Sequence, residues 1–205
     1  MHAETLAPNT NQVFHKLGTL EVIKSFYLSG GTALALHLGH RESEDLDFFS
    51  KENFTPQTLQ QQLENSVKLS GISQDQGTLD CYADNVKLQF FHYPYKLISQ
   101  TSVWNNIAIS GVEDIACTKL ITISSRGSKK DFIDLYFILQ TISLNELFTL
   151  LIKKYNETDY NILHILKSLV YFETAEEQPM PKMHFDVSWI EVKKFITSKV
   201  KEYQL

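Results

Sequence analysis

The sequence contains little cysteine and no apolar run long enough to cross a bilayer. Its only cysteines, Cys81 and Cys117, lack the close spacing of a thiolate zinc site and cannot supply the disulfide framework of a small secreted domain. Residues 1–10 also lack the basic start and apolar core of a signal peptide. These absences predict a cytoplasmic protein that works without a membrane.

Positive charge is scarcer than negative charge. The chain has 19 lysine and arginine residues against 24 acidic ones, for a formal net charge of -5. A chain with a negative net charge has no overall attraction to a phosphate backbone, so any contact with nucleic acid needs a local basic patch. The 43% of hydrophobic residues and 12% of aromatic residues predict a well-packed protein, as one domain or as two closely packed halves.

The first half of the chain mixes helical and extended patterns. Apolar residues at near-helical spacing predict a helix over 11–24, and a Thr-Pro pair predicts another that begins near Thr55. Extended runs lie at 26–29, 45–50, 78–82, 86–93 and 107–109. Residues 83–85 between two of these runs predict a hairpin.

From Val112 onward the pattern is helical. Helices are predicted over 112–124, 130–140, 144–155, 160–172 and 187–203, and two prolines separate the last two. The chain is therefore predicted to have an α+β fold, with a mixed sheet and its helices in residues 1–110 and a helical region in residues 111–205.

Two motifs in the first half have the chemistry to bind a metal-bound phosphate. Gly30 and Gly31 lie where a predicted strand meets a predicted helix, so bare backbone N–H groups can approach an anion there. Asp45 and Asp47 lie on a predicted strand with their carboxylates on one face, where both can bind Mg²⁺. Each motif alone is also explained by an ordinary corner or a solvated strand edge, and their combination favours a binding site.

Other charged residues are further candidates. Arg41 either contacts a phosphate oxygen or forms a surface ion pair. Lys119 lies among apolar residues of a predicted helix, and its side chain either extends outward or turns into a cleft. Lys130, Asp131 and Asp134 share a predicted helix, and a modest Lys130–Asp134 ion pair is the simpler explanation of that segment.

Taken in order, these motifs resemble the AbiEii/AbiGii toxin family of nucleotidyltransferases, within the polymerase-beta-like superfamily. The segments that carry the resemblance are 30–36, 41–49, 112–119 and 126–136, so it spans most of the chain. It implies a nucleotidyltransferase core followed by a helical region that closes the nucleotide cleft. It also implies Mg²⁺-dependent transfer of a nucleotidyl group from a nucleoside triphosphate to an acceptor hydroxyl, with Mn²⁺ as an alternative metal.

The resemblance further implies a role for each motif. The implied catalytic residues are Asp45, Asp47, Lys119 and Asp131, of which the first two are also the metal ligands. The implied nucleotide-binding residues are Gly30, Gly31, Thr32, Arg41, Lys130 and Asp134. The roles of the four residues in the second half of the chain are carried over from the resemblance alone: Lys119, Lys130, Asp131 and Asp134.

The resemblance also implies partners. RNA, and tRNA in particular, is the implied acceptor, although a protein hydroxyl is chemically equivalent. GTP or a pyrimidine triphosphate is the favoured donor. Members of the family are typically toxins of type IV toxin–antitoxin or phage-defence systems, so a winged-helix antitoxin protein is an expected partner.

The sequence departs from the wider superfamily at one acid. Many polymerase-beta-like enzymes have a third acid on a later strand, where this chain has Lys87 and Gln89. Either Asp131 takes over part of that role, or the protein is a non-catalytic nucleotide-binding or partner-binding module with a degenerate site. Two other enzyme classes with a paired-aspartate motif fit less well. A phosphatase of the haloacid-dehalogenase type would want a hydroxyl or small aliphatic residue soon after the second acid, where this chain has Phe48. A glycosyltransferase would give the glycine turn no role.

Overall fold

The computed structural model describes residues 1–156, 158 and 160–203, and the chain forms two compact units. The first unit comprises Met1–Lys96 and Gln100–Gly111, and the second comprises Leu97–Ser99 and Val112–Leu205. Within the described ranges, every helix is too short or too polar to span a membrane.

The first unit is built on a mixed sheet of seven strands among the described residues. These strands are β1 (Tyr27–Ser29), β2 (Leu46–Ser50), β3 (Leu69–Asp75), β4 (Thr78–Ala83), β5 (Val86–His92), β6 (Ser102–Trp104) and β7 (Ile107–Ile109). Their order is β3-β4-β5-β2-β1-β7-β6. Strands β2 and β5 are parallel, as are β1 and β7, and the other neighbours are antiparallel.

The sequence analysis missed the two edge strands, β3 and β6. Strand β3 is mostly exposed and contains Gly71 among polar residues, so it lacks the apolar alternation of a half-buried strand. Strand β6 has only three residues. The predicted hairpin between β4 and β5 is confirmed, and its turn residues Asp84 and Asn85 both have positive φ angles.

The helices of the first unit are α1 (Pro8–Leu17), α2 (Gly30–Leu38) and α3 (Pro56–Glu64). Helix α1 ends earlier than predicted, and a 3-10 helix follows over Glu21–Ser25. Gly18 follows α1 at a point where a Cβ would collide with the backbone of Asn105. Helix α3 begins at Pro56 as predicted, although Thr55 makes no side-chain cap hydrogen bond.

The register of the sheet is set by a buried row of side chains. Leu28, Phe48, Phe90 and Leu79 lie side by side on four neighbouring strands and are fully buried. Burial of each contributes about 1.5–3 kcal/mol, and a slip by one residue would move the whole row to the other face. The buried row therefore fixes which residues, Asp47 among them, lie on the half-exposed face.

The second unit is helical. Its helices are α4 (Val112–Ser125), α5 (Lys129–Ile138), α6 (Leu144–Lys154), α7 (Ile162–Ser168), α8 (Glu173–Glu176) and α9 (Trp189–Glu202). The segment predicted as one helix over 160–172 ends at Ser168, and α8 begins separately at Glu173. Capping boxes, in which a serine and the acid three residues later satisfy each other's N–H groups, begin α5 and α9.

The short segment Leu97–Ser99 belongs to the second unit because Asp114 of α4 holds it. The Asp114 carboxylate accepts hydrogen bonds from the backbone N–H groups of Ile98 and Ser99 at 3.1 and 3.0 Å. Lys154 of α6 lies 2.5 Å from the same carboxylate, and both side chains are buried. This ion pair therefore joins two helices and a loop segment.

Candidate functional site

Asp47 lies against the first residue of α2. Strands β1 and β2 are antiparallel neighbours in which Ser29, the residue before Gly30, pairs with Asp47. Gly30 has a φ angle of +69°, and a Cβ at this position would collide with the Asp47 carboxylate. Glycine is therefore required at position 30 both by the backbone angle and by the space that the carboxylate occupies.

The N-terminus of α2 has no side-chain cap. Ser29 occupies the N-cap position, but its side chain makes no cap hydrogen bond, and its Oγ lies 2.9 Å from Ser110 Oγ instead. Both serines are buried, while Gly31 in the first turn of the helix is half-buried. Uncapped N–H groups and the helix dipole together favour an anion at this point.

Thr32 fixes the position of Asp45. The Thr32 hydroxyl is buried, hydrogen-bonds to the backbone carbonyl oxygen of Asp45, and lies 2.7 Å from Ser43 Oγ. These bonds join the chain just before β2 to the first turn of α2. The Thr32 side chain is thus engaged inside the unit, and a contact of this residue with phosphate stays a prediction.

Arg41 is buried in the first unit. Its side chain is only 2% exposed, and Nη1 donates a hydrogen bond to the carbonyl oxygen of Glu42 at 3.0 Å. The predicted surface position of Arg41 is therefore wrong, because its side chain is buried. Its contact with a phosphate oxygen stays a prediction.

Asp45 and Lys87 lie beside a cavity of about 500 Å³ in the first unit. Leu46 of β2 pairs with Leu88 of β5 in parallel register. Asp45 and Lys87 each come one residue earlier in the chain, so they lie side by side. Both are half-exposed, and neither makes an ion pair or a side-chain hydrogen bond with a described residue. Tyr82, which is paired with Lys87 on β4, also lines the cavity.

A row of polar side chains extends from Asp47 across the sheet. Asp47 pairs with Gln89 on β5, and Gln89 pairs with Asp80 on β4. Residues directly opposite each other on neighbouring strands share a face, and Gln89 Nε2 donates a hydrogen bond to Asp80 Oδ1 at 2.7 Å. The sequence analysis considered Gln89 but missed Asp80, which the alternation with buried Leu79 and Cys81 could have placed on this face.

The cysteines take no part in this chemistry. Burial, and after it the charge of Asp80, raises the pKa of Cys81 to about 12. Burial is also the main cause that raises the pKa of Cys117 to about 12. Both thiols are therefore protonated at neutral pH and are poor nucleophiles.

Lys119, Asp131 and Asp134 form a buried ionic cluster in the second unit. Lys119 Nζ lies 2.8 Å from Asp131 Oδ1 and 2.6 Å from Asp134 Oδ2. The three residues are 7%, 2% and 0% exposed. Two carboxylates on successive turns of a helix would repel each other without a shared cation, and Lys119 supplies that cation.

Asp131 is ionised within this cluster. Burial by itself would raise its pKa, but the charge and hydrogen bond of Lys119, with a hydrogen bond from the Ser128 hydroxyl, hold the pKa below its ordinary value. Asp131 also completes the capping box at the start of α5. Its carboxylate therefore stabilises the helix as well as the cluster.

Lys130 lies outside this cluster. Its side chain is exposed and forms no ion pair with a described residue, whereas Asp134 is bonded to Lys119. The Lys130–Asp134 ion pair suggested as the simpler explanation of the segment is therefore wrong. The lysine that neutralises Asp134 comes from α4 and not from α5 itself.

The first unit offers oxygen ligands for a divalent cation. No group of three histidine, cysteine, aspartate or glutamate side chains that could enclose a metal occurs within the described ranges. Mg²⁺ in nucleotide enzymes is held by one or two carboxylates, and phosphate oxygens and water complete its shell. Asp45 and Asp47 therefore fit a cation that is shared with a nucleotide, and they do not fit a closed structural metal site.

The predicted residues thus separate into two groups. Gly30, Gly31, Asp45 and Asp47 lie around the start of α2 in the first unit, and Lys119, Asp131 and Asp134 lie together in the second. Carboxylates beside an uncapped helix N-terminus are an arrangement suited to a metal-bound polyphosphate.

Known proteins share both the sequence pattern and the fold. A family model described as "Nucleotidyl transferase AbiEii toxin, Type IV TA system" matches residues 14–103 and 105–195. The chain belongs to this family and is a nucleotidyltransferase. It is 38% identical over 206 residues to the uncharacterized protein aq_aa25 of Aquifex aeolicus (strain VF5), with 97% of each chain covered.

Two solved structures have a similar fold. MenT4, a nucleotidyltransferase toxin from Mycobacterium tuberculosis, matches with a TM-score of 0.59 and 13% identity over 99% of this chain and 88% of its own. JHP933 from Helicobacter pylori matches with a TM-score of 0.50 and 17% identity over 96% of this chain and 94% of its own. The predicted family and fold class are confirmed.

Proposed function

We propose that the protein transfers a nucleotidyl group from a nucleoside triphosphate to a hydroxyl group of RNA, with Mg²⁺ held by Asp45 and Asp47. The observation that carries this proposal is the Asp47 carboxylate packed against Gly30 at the uncapped start of α2. N–H groups that favour phosphate and carboxylates that favour a cation lie side by side there, as a metal-bound triphosphate requires.

The proposed reaction is a displacement at the α-phosphorus. The acceptor hydroxyl oxygen forms a bond to the α-phosphorus, the bond to the oxygen that bridges the α- and β-phosphates breaks, and pyrophosphate leaves with the electron pair. The hydroxyl proton passes to water. The N–H groups of α2 hold the phosphates, and Asp45 and Asp47 orient the group to be transferred. A bound Mg²⁺, or Mn²⁺ on the same oxygens, supplies neutralisation of the phosphate charge.

The cavity beside Asp45 supports RNA as the acceptor. It lies on the β5 side of Asp45, whereas the start of α2 lies against Asp47 near β1. Lys87 offers a cation for a phosphodiester, and Tyr82, 43% exposed, offers a ring on which a base can stack. A triphosphate at α2 and an RNA end in the cavity would approach Asp45 from different sides, as an in-line transfer requires.

Label transfer tests the proposal directly. Purified protein, Mg²⁺ and total cellular RNA are incubated with each of the four triphosphates labelled at the α-phosphate. The native protein is compared with Asp45→Asn and with Asp75→Asn, a matched control that neutralises an exposed carboxylate at the end of β3. Label is expected in RNA with the native protein and the control, at least about 100-fold less with Asp45→Asn, and the labelled triphosphate names the base.

Two other outcomes point to the rival functions. Label in protein and not in RNA would make a protein hydroxyl the acceptor. No label with any triphosphate, although binding of the triphosphate is measured, would favour a non-catalytic binding module, which the glutamine at position 89 makes the second candidate.

The family description also supports a protein partner. Because the family is one of toxins of type IV toxin–antitoxin systems, we propose that an antitoxin protein, expected to be of the winged-helix class, counteracts this chain. Expression of the chain alone is expected to slow growth, whereas Asp45→Asn is expected not to. Normal growth with the active native protein would contradict a toxin role.

A further inference from the structure

We propose that the Gln89 amide oxygen is a neutral ligand of the metal ion that binds with the nucleotide, and that Asp80 is the positioning residue that orients this amide. This inference rests on the proposed metal site at Asp45 and Asp47.

Gln89 lies between two acidic residues in the sheet. It pairs directly with Asp47 on one side and with Asp80 on the other. Neighbouring strands lie about 4.8 Å apart, so Asp80 is about 10 Å from Asp47 along the row and Gln89 lies between them. Of the two side chains, Gln89 is therefore the one within reach of a cation at Asp47.

The hydrogen bond between Gln89 and Asp80 has a defined direction. An ionised carboxylate can only accept, so the Gln89 side chain must turn its NH₂ group toward Asp80, as the 2.7 Å bond records. The amide oxygen is then the atom left for another partner. It accepts no hydrogen bond from a described residue. A side-chain amide oxygen is a ligand type that hard cations use.

The sheet holds Asp80 and Gln89 in place. Residues flanking Asp80 and Gln89, namely Leu79, Cys81, Leu88 and Phe90, are at most 1% exposed. Their burial on the opposite face keeps both polar side chains on the half-exposed face with Asp47. A neutral ligand at position 89 also avoids a third negative charge directly beside Asp47, which would repel both acids when no cation is bound.

Mn²⁺ affinity tests this inference without a turnover assay. Electron paramagnetic resonance of unbound Mn²⁺, corrected for the Mn²⁺ that the triphosphate binds without protein, gives its dissociation constant for the protein mixed with a non-hydrolysable triphosphate. Asp80→Asn removes the group that fixes the amide, because an asparagine can accept from or donate to Gln89, and Gln89→Leu removes the ligand. Each is expected to weaken Mn²⁺ binding by about 10-fold, since loss of an orienting partner costs at least this much in metal sites.

A double variant separates orientation from simple loss of structure. In Asp80→Asn with Gln89→Glu, the asparagine NH₂ can donate to the new carboxylate, which then occupies the ligand position with a full charge. This variant is expected to bind Mn²⁺ at least as tightly as the native protein. Recovery of this kind shows that position 89 reaches the cation and that Asp80→Asn leaves the sheet folded, so that weaker binding by Asp80→Asn alone then reflects loss of orientation.

Two controls decide how a failure is interpreted. Asp75→Asn should bind Mn²⁺ like the native protein, and Asp45→Asn should lose most of the binding. Native affinity in Asp80→Asn and Gln89→Leu, with loss in Asp45→Asn, would overturn this inference and leave the proposed function standing. Native affinity in Asp45→Asn as well would overturn the proposed metal site itself.

Discussion

Each unit has a pair of aspartates, but the two pairs differ in their surroundings. In the first unit, Asp45 and Asp47 lie at a half-exposed sheet face, and the Asp45 carboxylate bonds to no described residue. In the second unit, Asp131 and Asp134 are buried and share Lys119. Both pairs place like charges close together, which is unfavourable unless a cation compensates. The second unit carries its own cation in the fold. In the first unit, the half-exposed Asp45 carboxylate can take a cation that comes with a ligand, and this difference is why we place metal binding there.

The comparison also bears on the implied catalytic roles of Lys119 and Asp131. Their mutual contacts, and the capping box that Asp131 completes, explain both residues without a ligand. A role in catalysis for these two, and in nucleotide binding for Lys130 and Asp134, therefore stays a prediction from the family resemblance. Measurements of stability and of binding separate the two roles.

The largest expected effect is on the stability that the buried ionic cluster of Lys119, Asp131 and Asp134 provides. Lys119→Met leaves two buried carboxylates without their cation and is expected to lower the free energy of unfolding by about 3–5 kcal/mol. Urea denaturation measures this loss. Lys130→Met removes an exposed lysine from the next helix and should change stability by less than about 0.5 kcal/mol. Equal stabilities of the two variants would show that the cluster does not hold the unit together.

The next largest effect is expected on triphosphate binding at the start of α2, where Asp47 lies against Gly30. Gly30→Ala forces a side chain into a backbone angle that costs about 1–2 kcal/mol and pushes the Asp47 carboxylate away from α2. Gly77→Ala is a matched control, because Gly77 has the same φ angle of +69° in the turn between β3 and β4. Both variants should lose similar stability, but only Gly30→Ala should lose Mg²⁺-dependent triphosphate binding. Loss of that binding in both would point to general unfolding.

A smaller effect is expected from pH. Because the folded-state pKa of Asp131 lies below its ordinary value of 3.8, its ionised form stabilises the fold above that pH, and this contribution is lost as pH falls through the folded pKa. The difference in unfolding free energy between native protein and Asp131→Asn should therefore shrink on acidification. Urea unfolding at a series of pH values checks this, and a difference that grows at low pH would contradict it.

The smallest effect is expected at the cavity. Lys87→Ala should raise the KM for RNA a few-fold and lower the slope of RNA affinity against salt by about 1, because one phosphate contact is lost. Lys51→Ala is the matched control, since Lys51 is exposed just beyond the other end of β2. Equal effects of both variants would indicate a general charge effect and would remove the reason to place RNA in the cavity.

Much of the fold could be predicted from the sequence where burial imposes a period. Strand β2 was predicted from alternating apolar residues, the hairpin of β4 and β5 from two β-rich runs with turn residues between them, and helix α2 from the strong helix formers after Gly31. Edge strand β3 was missed because solvent on both faces removes the alternation. Helix ends were less accurate, as at α1, where the Asn105 side chain donates hydrogen bonds to the carbonyl oxygens of Phe14 and His15, a contact that only the folded chain reveals.

The candidate site was predictable in its motifs and not in its pairings. Gly30 and Asp47 could be named from their residue types, but their contact depends on the antiparallel register of β1 and β2. The partnership of Asp80 with Gln89 depends in the same way on a cross-strand pairing. Lys119 gave an ambiguous signal because a lysine beside apolar residues is compatible with exposure or with a buried partner.

Triphosphate binding with and without Mg²⁺ shows whether Asp45 and Asp47 hold the cation. A fluorescent triphosphate analogue is titrated with native protein and with the Asp45→Asn, Asp47→Asn double variant, each in Mg²⁺ and in EDTA. Mg²⁺ is expected to tighten triphosphate binding to the native protein and to have no such effect on the double variant. The same gain from Mg²⁺ in both proteins would contradict it, because the cation would then be held elsewhere.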